Sequence, residues 1–101
     1  MTRSDFAHYF TTGTRIHAPH ATLLIAPYPT RKLAVVVSKK VAKSAVTRNT
    51  LRRRVYHLLA SETTGLQNGW IILLKPSITR LTRQQATDEI RALIGRGRKK
   101  Q

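Results

Sequence analysis

The chain has 101 residues, enough for one compact domain and too few for two. Hydrophobic residues make up 41%, which excludes wholesale disorder, and the absence of Cys excludes disulfides and thiolate metal sites. Nineteen Lys and Arg face only four Asp and Glu, a formal net charge of +15. So much like charge repels itself in the folded state until a polyanion neutralises it, and nucleic acid is the commonest one.

Ser4 to Thr12 reads as a short helix, because Phe6, Tyr9 and Phe10 fall at i, i+3, i+4 on one face, and Gly13 stops it. Gly13 to Pro19 is a weak edge-strand candidate. Ala21 to Ala26 (ATLLIA) is a strand, broken by the Pro27-Tyr28-Pro29 turn. Leu33 to Ser38 (LAVVVS) is the strongest strand, and its continuous apolar run predicts burial on both faces. A helix is expected from about Ala45 to Ser61, with Leu51, Val55 and Leu58 as the core stripe and Asn49, Arg52, Arg53 and Tyr56 on the adjacent face.

Gly65 and Gly69 bracket the following loop, and Trp70 to Lys75 is a further buried strand ended by Pro76. Thr82 and Gln85 have capping-box spacing at the start of a last helix, whose apolar face is Ala86, Ile90, Leu93 and Ile94. Gly95 and Gly97 are expected to end it, leaving about residues 96–101 as a basic tail. The expected fold is α+β, an α/β sandwich in the order α-β-β-β-α-β-α. One sheet is packed by helices in a single domain over residues 1–101.

A protein-borne two-metal nuclease site needs converging carboxylates. Asp5, Glu62, Asp88 and Glu89 do not supply one: Asp88 and Glu89 are neighbours pointing about 100° apart on a helix, and read as solvated charges. His8, His17, His20 and His57 show no ligand pairing and read as surface residues. No phosphate loop or nucleophile elbow is present, so neither a catalytic nor a metal-binding residue is assigned. No leader and no apolar stretch of membrane-spanning length is visible, which leads to the expectation of a soluble, cytoplasmic protein.

What remains is binding. Lys39 to Arg54 holds Lys39, Lys40, Lys43, Arg48, Arg52, Arg53 and Arg54, seven of the nineteen bases, and none of the acids. Ordinary solvated faces mix signs. A strand that leads into a lysine pair and then an arginine-bearing helix suits phosphates, which Arg meets with planar forked donors. Phe6, Tyr9 and Phe10 serve either as core anchors of the first helix or as a stacking platform for unpaired bases. A ribosomal protein or general RNA chaperone would also explain the charge. A DNA-binding regulator lacks a helix-turn-helix pair before the basic helix, so no DNA partner is expected, and no membrane either.

Val37-Ser38-Lys39-Lys40, followed after seven residues by Arg48-Asn49 and Arg52-Arg53, resembles the signature of the bacterial ribonuclease P protein component. Ser4-Asp5-Phe6 with Phe10 and Gly13 resembles the first helix of that family. Trp70-Ile71-Ile72 to Lys75-Pro76 resembles its last strand, and the capped helix from Thr82 its final helix.

The resemblance implies a protein subunit that joins a catalytic RNA in removing the 5′ leader of precursor tRNA. Mg²⁺ would be held by the RNA, and no cofactor by the protein. It implies ribozyme contacts from Lys39, Lys40, Lys43, Arg48, Asn49, Arg52 and Arg53. Phe6 and Phe10 would line a leader cleft with Val36 and Ser38 of a central strand. A left-handed strand–helix–strand crossover is implied as well. The chain departs from the family pattern at Thr50, where the box's second Arg is missing, and near Leu24, where the family often places a ring. The basic extension before the first helix is reduced to Arg3.

Overall fold

The computed structural model describes residues 13–100. The helix expected over Ser4 to Thr12, with Phe6, Tyr9 and Phe10, lies outside the described residues. Among the described residues, four strands form one mixed sheet: β1 (Thr14–His17), β2 (Ala21–Ala26), β3 (Lys32–Val36) and β4 (Gly69–Leu74), in the spatial order β1-β2-β4-β3. β1 and β2 pair antiparallel, as do β2 and β4, while β3 runs parallel to β4. Parallel neighbours need a crossover, and α1 (Ala45–Glu62) provides it. A 3₁₀ turn (Pro76–Arg80) then leads to α2 (Arg83–Lys99). This is the α+β architecture expected from the order of apolar runs.

Alternation along the strands separates two faces. Ile16, Leu23, Ile72 and Val35 lie in one cross-strand row on the face packed by both helices. Val55 and Leu59 of α1 and Ile90, Leu93 and Ile94 of α2 complete that core, with Trp70 fully buried among them. Leu24, Ala26 and Ile71 form a smaller cluster on the other face, where Tyr28, Ala34, Val36 and Leu73 are partly buried.

Four expectations change. The run at Leu33 to Ser38 is expected to be buried on both faces of a central strand, yet among the described residues β3 is an edge strand. Val35 and Val37 are buried towards the helices, while Ala34 and Val36 stay half-exposed. The centre of the sheet is β2 and β4, and β2 is buried at every position. An apolar run records what lies above and below a strand, not what lies beside it.

The core stripe of α1 runs through Val55 and Leu59, with Leu51 and Leu58 only partly buried on either side. α2 does not stop at Gly95 but continues to Lys99, so residues 96–99 are helical rather than a tail. Gly97 permits this, because a Cβ there would lie 2.7 Å from Leu23 Cδ2 and 2.8 Å from Ile25 Cδ1. The helix backbone thus presses directly onto β2.

Lastly, Glu89 and His20 are not solvated surface groups. Glu89 accepts from the His20 backbone N–H at 2.9 Å and meets its Nδ1 at 2.9 Å, fastening α2 to the β1–β2 turn. Arg96 donates to the His17 carbonyl at 2.9 Å, and Lys75 Nζ to the Ala18 carbonyl at 3.0 Å, on the same side. The capping box holds as expected: Gln85 N–H donates to Thr82 Oγ1 at 3.1 Å, and Thr82 N–H to Gln85 Oε1 at 2.9 Å. Among the described residues, no helix is long and apolar enough to cross a membrane.

Candidate nucleic-acid interface

β3 ends at Val36, and the chain turns at once. Val41 and Ala42 donate their N–H groups to the Ser38 carbonyl, and the buried Val41 pins the turn to the core. Lys39, Lys40 and Lys43 are left exposed around that anchor. Ser44 caps α1, accepting from Thr47 N–H at 3.4 Å. Arg48 then reaches back. Its Nη1 donates to the carbonyls of Ala42 at 3.0 Å and Lys43 at 2.8 Å, so one guanidinium sets the angle between the lysine turn and the helix.

Asn49 and Arg52 form the next pair, with Arg52 Nη1 donating to Asn49 Oδ1 at 2.6 Å. One turn apart on a helix, the amide holds the guanidinium in place before any ligand arrives. Arg53 is exposed, and Thr50 donates its hydroxyl to the Val46 carbonyl at 3.0 Å. Thr50 therefore uses its hydroxyl proton inside the helix, where an Arg would project a charge outward. At the far end, Arg31 from the β2–β3 connection donates to the Ala60 carbonyl at 2.9 Å, a cation at the C-terminus of a helix that has no base of its own in its last turn.

The seven expected ribozyme contacts are thus brought together at one strand-to-helix junction, but in two roles. Lys39, Lys40, Lys43 and Arg53 face outward, while Arg48 and the Asn49–Arg52 pair also organise the junction. Of the four expected leader residues, Val36 is half-exposed on the second sheet face and Ser38 is exposed just beyond it. Phe6 and Phe10 lie outside the described residues. Tyr28, read from sequence only as part of a turn, packs onto that same second face.

The described carboxylates are used elsewhere. Asp88 accepts from Gln84 at 2.9 Å, Glu89 holds His20, and Glu62 lies 3.7 Å from Arg91 and 3.5 Å from Arg98. They are separately engaged and do not converge. Sequence reasoning also missed a groove of about 780 Å³ between the helices, lined by Arg53, Arg54, His57, Arg83 and Arg91 among others. The signal was present, since Arg83, Thr87 and Arg91 recur at i, i+4, i+8.

Comparison with known proteins agrees with this architecture. The model of the Ribonuclease P family matches residues 1–98. A ribonuclease P protein component from Microcystis aeruginosa is 32% identical over 101 residues, covering 91% of this chain and 83% of the relative. The structure of the Staphylococcus aureus RNase P protein superposes with a TM-score of 0.86 at 17% identity, covering 96% of this chain and 92% of that one. The Thermotoga maritima RNase P protein gives 0.73 at 17% identity, covering 93% and 92%. At that identity the two structures speak to the fold alone.

Proposed function

The chain belongs to the family of ribonuclease P protein components, the non-catalytic subunits of the enzyme that processes tRNA 5′ ends, and we propose that it grips the catalytic RNA with the β3–α1 junction. In this reading Lys39, Lys40, Lys43, Arg52 and Arg53 contact phosphates. Arg48 and Asn49 contact the RNA while holding the junction in shape. Hydrolysis falls to the RNA, which holds the Mg²⁺. The protein's share is to bind, to orient, and to offset the repulsion between two polyanions, ribozyme and substrate.

The single observation that supports this reading is the concentration of unopposed positive charge at one built junction. Seven bases and no acid fall within Lys39 to Arg54, on a turn anchored by Val41 and clamped by Arg48. The precursor tRNA leader would run beside it, across Val36 and Ser38. The protein would work in the cytoplasm, where such precursors are made.

Reconstitution tests it. Protein added to ribonuclease P RNA should speed cleavage of precursor tRNA at low Mg²⁺, and protein alone should cut nothing. RNA recovered with the protein from its own cells should include the ribozyme. Recovery of ribosomal RNA without the ribozyme would overturn the reading.

A further inference from the structure

We propose that the groove between α1 and α2 is a second phosphate-backbone site, which takes an RNA strand other than the one held at the β3–α1 junction. The proposal rests on the reading above and adds a site to it. Two helical stripes form the walls. Thr50, Arg54, His57 and Ser61 follow one another at i, i+4, i+7 and i+11 on α1, with Arg53 at the rim, and Arg83, Thr87 and Arg91 follow at i, i+4, i+8 on α2. Arg54 points about 160° away from Arg52 around α1. One strand lying along Arg52 therefore does not also fill the groove.

The lining says what would fit. Apart from Leu58, and from Thr50, whose hydroxyl proton goes to the Val46 carbonyl, it consists of Arg, His, Thr and Ser side chains, the groups that donate to phosphate oxygens. Among the described residues no carboxylate lines the groove, and of its four arginines only Arg91 has an acidic partner, Glu62 at 3.7 Å. Arg54 and Arg83 face one space with no acidic partner among the described residues, and Arg53 stands at its rim towards the junction.

The helix ends deepen the imbalance. α2 has no acid in its first turn and instead places Arg83 there, where the helix dipole favours an anion. A bound phosphate would satisfy both. Four helical residues rise about 6 Å, comparable to the separation of successive phosphates along a strand, so Arg83 to Arg91 spans about two such steps.

The test uses the full chain with ribonuclease P RNA. The double variant Arg54→Ala, Arg83→Ala leaves the Arg91–Glu62 pair intact. It should weaken RNA binding roughly ten- to a hundredfold, and make the salt dependence shallower by about two. Wild-type affinity and slope in that variant, while Arg52→Ala still weakens binding, would overturn the proposal.

A second measurement holds even if the double variant does not fold. The chain has no Cys, so Thr87→Cys and Asn49→Cys each give one attachment point for an iron chelate that cuts nearby RNA. Cuts from position 87 at nucleotides distinct from those cut from position 49 support the site. No cutting from 87 alongside strong cutting from 49 overturns it. If the wild-type protein binds no ribonuclease P RNA at all, the underlying reading fails first, and this site with it.

Discussion

α2 is tied to the rest of the chain on several sides, whereas α1 is tied along one stripe and at its two ends. The apolar face of α2 sinks Ile90, Leu93 and Ile94 into the sheet, Gly97 brings its backbone onto β2, and Glu89 and Arg96 fasten it to His20 and His17. α1 buries Val55 and Leu59, is clamped at its start through Arg48, and is capped at its end by Arg31. Charges of both signs on α2 are used within the fold. The charge on α1, from Arg48 to Arg54, is of one sign and has no acidic partner among the described residues. The difference teaches which element holds the domain together and which one the domain holds up for a partner.

Truncating the fastened helix should cost most. Ile94 is fully buried, and Ile94→Ala should lower unfolding free energy by about 2–5 kcal/mol through lost transfer energy and the cavity left behind. Urea titration measures this, and RNA affinity per folded molecule should be unchanged. An affinity loss that exceeds the unfolded fraction would break the division between the helices.

The converse change comes next. Arg52→Ala with Arg53→Ala should lower stability by no more than about 1 kcal/mol, because Arg53 is exposed and Arg52 gives up one hydrogen bond to the exposed Asn49 amide. RNA binding should fall, with a salt slope shallower by about two, one for each phosphate contact removed. A large stability loss with an unchanged slope would make these residues structural and reverse the assignment.

Glu89→Gln sharpens the comparison at smaller scale. The carboxylate accepts from both the backbone and the ring of His20, and only 18% of its side chain is exposed. The amide can replace one acceptor and loses the charge, so a stability loss of about 1–2 kcal/mol is expected. RNA affinity should not fall. Thermal melts beside binding titrations decide between a latch and a solvated charge.

The elements were largely legible in the sequence, because periodicity reports burial directly. β2, the capping box at Thr82 and the buried face of α2 lie where apolar spacing and cap chemistry put them. Lateral position was not legible: Leu33 to Val37 is as apolar as β2, yet among the described residues β3 has a neighbour on one side only. Long-range polar partners were hidden for the same reason. Glu89 meets His20 across 69 residues, and nothing local in either segment marks the other.

At the interface, the clustering of bases at the junction was readable from charge, while Asn49 entered as a contact only through the family resemblance. The junction's internal wiring was not readable, because an inward-turned Arg48 and an outward-turned Arg53 are the same letter. The expected aromatic platform at Phe6 and Phe10 lies outside the described residues.

The smallest effect concerns the two glycines of α2, which sequence reasoning treated alike. Among the described residues, a Cβ at Gly95 would meet nothing within 4 Å, while one at Gly97 would press on Leu23, Ile25 and Trp70. Gly95→Ala should therefore stabilise by about 0.5–1 kcal/mol, the helix-propensity gain with no steric opposition. Gly97→Ala carries the same propensity gain, but it must displace side chains of a packed core. Overpacking costs about 1–3 kcal/mol, so the net change should be a loss. Opposite signs in parallel urea titrations would show that α2 continues past Gly95 because Gly97 lets it lie against β2. A gain at both positions would mean the helix end sits loosely, and would remove Gly97 from the reasons that α2 is the fastened helix.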